Sequence, residues 1–108
     1  MYRSELEDFN YKLLEEWLMQ KEEFKKELLS GQISTTRREH LATVLTAINN
    51  FYYKANDTHK KVIDLLFYKS QYPEDVADEI GYTISRLNSC KKHLLEKLAV
   101  ELGWIYDF

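Results

Sequence analysis

The stretch from Thr83 to Lys92 holds the side chains best suited to recognition chemistry. Ser85, Arg86, Asn88, Ser89, Lys91 and Lys92 are all hydrogen-bonding or cationic. On the early turns of a helix, such groups reach the base edges and phosphates of a DNA duplex. Ser85, Arg86, Asn88 and Ser89 are the expected base-edge contacts. Lys91, Lys92 and the hydroxyl of Thr83 are the expected phosphate contacts, which fix register without specifying sequence. From Thr83 to Lys97 the cations Arg86, Lys91, Lys92 and Lys97 stand against one acid, Glu96. The stretch before it carries Glu74, Asp75, Asp78 and Glu79. The chain has a net charge of −3, which argues against a protein that coats nucleic acid non-specifically. Its positive charge is instead expected to gather where DNA would lie.

Other chemistries have less behind them. His40, His59 and His93 are the only histidines, and none has metal-ligand spacing with another histidine or with Cys90. His93 follows Cys90 by three residues on one helix, but Cys90 occupies an interior position. His93 is expected to meet phosphate or solvent. No phosphate-binding glycine loop, nucleophile elbow or His-Glu-x-x-His motif is present, so neither catalysis nor a cofactor is expected. The lone Cys90 cannot close an internal disulfide, which fits a reducing, cytoplasmic setting. The acidic start of the chain predicts no signal peptide. The longest uncharged stretch, 41–53, is too short to span a bilayer.

Recognition groups are useful only if two short helices meet across a tight turn, and the preceding residues meet that need. Pro73 suits the first turn of a helix, with Glu74 and Asp75 correctly signed for its N-terminus. Ala77 is small where the helices must approach. Gly81 can take positive φ and end the first helix. Thr83 is placed to cap the second. Val76, Ile80, Leu87 and Cys90 would join the pair through apolar contact. Helix–glycine–helix patterns also occur in many helical proteins, and a polar face is often merely solvated.

The rest of the chain reads as helices with short turns; three glycines and one proline leave few breaks. A first helix is expected from about Ser4 to Leu29, with Leu6, Phe9, Leu13, Trp17, Phe24 and Leu28 on one side. Its stripe weakens at Gln20 and Lys21, where a bend or break fits, and Gly31 is its stop. A second helix runs from about Thr36 to Lys54, burying Leu41, Val44, Leu45, Ile48, Phe51 and Tyr52. Asp57 or Thr58 is expected to cap a third. Val62, Ile63, Leu65, Leu66 and Phe67 make that helix apolar enough to lie near mid-core. Most of the aromatic residues are expected in the core. Packing is the expected role of Tyr72, while Tyr82 stands between packing and a phosphate contact. The apolar end, 104–108, needs a cover on its own domain or on a second copy. Composition, 44% hydrophobic and 31% charged, suits a soluble globular chain.

The stretches 62–68, 74–81 and 94–105 resemble region 4 of bacterial sigma factors. They are more similar still to phage late-gene regulators of the RinA and ArpU (autolysin regulatory protein) type. The closing Lys97-Leu98-Ala99-x-x-Leu102-Gly103-Trp104 is the feature most like that family. The similarity covers roughly 41–105. It implies sequence-specific promoter binding and contact with RNA polymerase, in Gram-positive phages or prophages. The stretch Ile84–Ser89 departs from the family by carrying fewer Arg and Lys. That departure implies a dimer or a protein partner for useful affinity.

The expectation is therefore an all-α helical domain with a C-terminal sigma region 4-like helix-turn-helix and a long N-terminal helix. Residues 1–31 would form that helix, a dimer or partner surface, and 32–108 the DNA-binding domain. The partners would be double-stranded DNA at a promoter or operator, RNA polymerase and a second copy of the chain, with no membrane. The alternative is a helical adaptor that binds protein without its own DNA contact.

Overall fold

The computed structural model describes residues 6–105. Among them every regular element is helical, and the chain is all-α. The order is α1 (Asp8–Met19), α2 (Lys21–Ser30), α3 (Thr35–Lys54), α4 (Asp57–Val62), a π-helical turn (Ile63–Tyr68), α5 (Pro73–Ile80) and α6 (Ile84–Glu101). No helix among the described residues is long and apolar enough to cross a membrane.

The expected N-terminal helix is two helices. Its start at Ser4 lies outside the described residues, and α1 begins only after Glu7, whose N–H donates to Asn10 Oδ1 at 2.9 Å. The break falls at Gln20. Its N–H closes α1 onto the Glu16 carbonyl at 2.9 Å, and its own carbonyl accepts from Phe24 N–H at 3.0 Å. The physical reason is that the two halves bury against different partners. Helix α1 packs on α6 and the π-helical turn, whereas α2 packs on α3. Lys21 also sets its ammonium 4.2 Å from the centre of the Tyr68 ring, which holds the start of α2 there. A bidentate pair from Arg37 to Glu27, at 2.6 and 3.2 Å, ties α2 to α3 across the Gly31 turn.

The buried stripe of α1 also differs from the expected one. Leu14 and Leu18 are fully buried, while Phe9 is 68% exposed and Leu13 and Trp17 are half-buried at the margin. Leu14, Leu18 and Phe24 share one core with the buried residues of 41–105. The described residues of α1 and α2 thus contribute to the same core as the rest of the chain.

In α3 the buried face is Leu41, Val44, Leu45, Ala47, Ile48 and Phe51, with Tyr52 at its edge. Ser34 caps it, accepting from Arg37 N–H at 3.1 Å. The cap of α4 is Asn56, which accepts from His59 N–H at 2.8 Å, one residue before the expected Asp57 or Thr58. Val62, Ile63, Leu65, Leu66 and Phe67 are all buried, so this segment does lie in mid-core. A helix apolar on most sides must be covered on most sides. Its acid, Asp64, is used at the edge, where Tyr52 OH donates to Asp64 Oδ2 at 3.0 Å, while the buried Tyr68 hydroxyl has no hydrogen-bond partner among the described residues.

At the C-terminal end, Gly103 (φ 75°) turns the chain back. Ile105 is buried, and Trp104 meets Trp17 of α1 edge to face at 5.6 Å. Trp104 therefore finds cover on α1 and Ile105 joins the core; 106–108 lie outside the described residues. Leu14→Ala is expected to cost about 2–5 kcal/mol in urea unfolding, as for other fully buried leucines. A loss below about 1 kcal/mol would show that α1 only lies against the surface.

Candidate nucleic-acid interface

Backbone rules position the exposed half of α6. Pro73 opens α5 at its first turn, with Glu74 and Asp75 beside it. Gly81 ends α5 in the left-handed conformation (φ 77°, ψ 29°). The N–H groups of Gly81 and Tyr82 both donate to the Ala77 carbonyl, the second at 2.9 Å. The Tyr82 bond is the six-to-one closure of a Schellman end, and the Gly81 bond the five-to-one closure of an αL end. Two residues on, Thr83 Oγ1 accepts from Arg86 N–H at 3.1 Å and caps α6. Val76, Ala77 and Leu87 are buried between the helices, and Ile80 and Cys90 pack at the margin.

Helix α6 divides into two halves. From 84 to 93 only Leu87 is buried. From 94 to 99, Leu94, Leu95, Leu98 and Ala99 are buried, against α1 and α3. The helix is thus rooted by its C-terminal half and presents its N-terminal half. With successive residues about 100° apart, Ser85, Ser89 and Lys92 share one face, flanked by Asn88 and Arg86. All five are exposed.

The expected contact residues are not equally free to act. Thr83 is exposed, but its oxygen already serves the cap. Lys91 is half-buried and pairs with Glu15 of α1 at 2.9 Å. It therefore lies on the flank facing α1, with its charge engaged there, apart from the outward group. Lys92 of α6 sets its ammonium 5.6 Å from the ring of Tyr11 on α1. Nearby, Tyr11 OH donates to Glu96 Oε2 at 2.7 Å.

Two aromatic placements escape the sequence. Tyr82 lies beneath Arg86, whose guanidinium is 4.0 Å from the ring centre. That stacking restricts a long side chain at the mouth of the turn. Tyr72, expected to pack, is instead 76% exposed at the residue before α5. An aromatic stacking partner four residues from an arginine is a visible signal for Tyr82; nothing local distinguishes Tyr72.

The acids of α5 form a separate face. Glu74, Asp75, Asp78 and Glu79 are all exposed, opposite the buried Val76 and Ala77. Lys61 of α4 approaches Glu79 at 3.7 Å. His93 stands near His59 of α4, at 6.2 Å between ring centres. Among the described residues no group of three or more His, Cys, Asp or Glu could hold a metal ion. Burial raises the pKa of the Cys90 thiol, partly offset by Arg86; the group is poorly suited to nucleophilic work.

Comparison with protein-family models, with curated proteins and with solved structures gave no match to this chain.

The turn itself can be tested. No atom lies within 4 Å of a Cβ built on Gly81, so a side chain there meets only backbone strain. Gly81→Ala is expected to lower stability by about 1–2 kcal/mol. Gly81→Asn should cost clearly less, since asparagine tolerates this conformation. Equal costs in denaturant unfolding would mean that packing, not φ, selects glycine here.

Proposed function

We propose that this protein is a sequence-specific DNA-binding transcriptional regulator that lays the outward face of α6 in the major groove. The observation that carries the proposal is the division of α6. An apolar half anchors it, and the projecting half shows Ser85, Arg86, Asn88, Ser89 and Lys92 with no acid among residues 83–95. The α5–turn–α6 unit supplies the two short helices and tight turn on which helix-turn-helix recognition depends. Arg86 is the natural base reader, because its planar fork can bind guanine bidentately and Tyr82 already limits its freedom. Lys92 is the natural phosphate contact.

With Lys91 engaged by Glu15, one copy offers few cations to the backbone. A homodimer reading two half-sites, or a contact with RNA polymerase, would raise the effective affinity without new base contacts. The sequence resemblance to phage regulators of the RinA and ArpU type agrees with such a role. A second reading, a polymerase-binding adaptor without its own DNA contact, draws on the exposed acidic face of α5, which phosphates would repel.

Selection from a randomised duplex pool at moderate salt separates the two. Regulation by DNA binding predicts an enriched motif, palindromic if a dimer binds. The adaptor predicts no enrichment from folded protein even at low salt. On the selected duplex, Arg86→Ala should weaken binding by about 1–3 kcal/mol and relax preference at one base pair. Unchanged affinity across all variants of the site would remove Arg86 from the base-reading role.

A further inference from the structure

Helix α1 leaves one face uncovered. Phe9, Lys12, Glu16 and Met19 are all exposed. At about 100° per residue they fall within an arc of about 80°. The fully buried Leu14 and Leu18 lie on the opposite side of the helix. Phe9 is 68% exposed and Met19 49%, so a large apolar group stands at each end of the face. Between them lie one cation and one acid. Neither Lys12 nor Glu16 has an ion pair among the described residues. They are four residues apart, but with the lysine first, the order in which such pairs on one helix gain less. Both charges are therefore available to another molecule.

The row is self-complementary. Its spacings are three, four and three residues, the same from either end. Reversal exchanges Phe9 with Met19 and Lys12 with Glu16. A second copy laid antiparallel, with the two-fold axis at the level of Leu14, therefore sets Phe9 against the partner's Met19 and Lys12 against the partner's Glu16, each twice. Phe9 and Met19 are about 15 Å apart along the axis, and Lys12 and Glu16 about 6 Å, so all four pairs align at once. A parallel copy would instead oppose lysine to lysine and glutamate to glutamate, which costs free energy.

We propose that the outward face of α1 binds a second copy of this chain in an antiparallel, two-fold pairing. A two-fold contact requires a patch that complements itself, and this row is one. One face of a short helix buries less than a standard interface, so the pairing is weak and depends on concentration. The bonds of α1 to α6 run through Tyr11 and Glu15, outside the arc. The inference therefore stands whether or not α6 reads DNA.

Sedimentation equilibrium over a concentration series up to about 1 mM tests it. The unaltered chain is expected to dimerise. Lys12→Glu and Glu16→Lys, each alone, should weaken dimerisation by about tenfold, because two attractions become two repulsions. An equimolar mixture of the two variants restores opposite charge at both contacts and should associate as well as the unaltered chain. Failure of that rescue would overturn the proposal, as would a monomer at every concentration or a dimer indifferent to both variants. Should either variant fail to fold, Phe9→Gln decides: a weakened dimer supports the pairing and an unchanged one overturns it.

Discussion

Burial of the second half of α6 is the constraint on which the rest of the structure depends. Leu94, Leu95, Leu98 and Ala99 are nearly or fully inaccessible. Each leucine contributes roughly 1.5–3 kcal/mol by leaving water. Helices α1 and α3 pack against this half and are spaced by it. The first half of the same rigid helix is thereby held out from the body, where α5 supports it through Leu87 alone among its buried residues. Anchor and presented face are one element, so the orientation of the face is inherited from the core.

Charge follows the same division. The chain is acidic overall, yet its acids and cations are sorted by face. Helix α5 carries its acids away from the core, and α6 presents cations and hydroxyls on its outer surface. The pair between Lys91 and Glu15 withdraws one cation from that surface and fastens α1 to α6. Positive charge on that surface is consequently sparse, and in the proposed DNA-binding role specificity would fall on a few well-held side chains. Arg86, stacked on Tyr82, is the best held of them.

Local backbone rules made much of this legible in the sequence. Pro73, Gly81 and Thr83 act within a turn of themselves, and each stands where its chemistry requires. The apolar run from Val62 to Phe67 could only be central. What stayed hidden was decided by distant partners. Adjacent pairs Leu13–Leu14 and Trp17–Leu18 define two stripes about 100° apart, and the approach of α6 and the π-helical turn chooses Leu14 and Leu18. Asn56, Asp57 and Thr58 can all cap a helix, and the bend after α3 chooses Asn56. The engagement of Lys91 by Glu15, and of His59 by His93, joins residues far apart in the chain. No periodicity could show either. The break at Gln20 was visible as a weak stripe, but not the reason for it, which is that α1 and α2 serve different faces.

The most direct test of the central claim is amide chemical-shift mapping of the protein bound to its selected duplex. If the projecting half of α6 enters the groove, the largest shifts fall within 83–92, above all at Ser85, Arg86, Asn88, Ser89 and Lys92. Residues 21–54 should stay near their free positions. Shifts centred on α2 or α3, with 83–92 unmoved, would contradict the assignment of α6 as the DNA-reading helix.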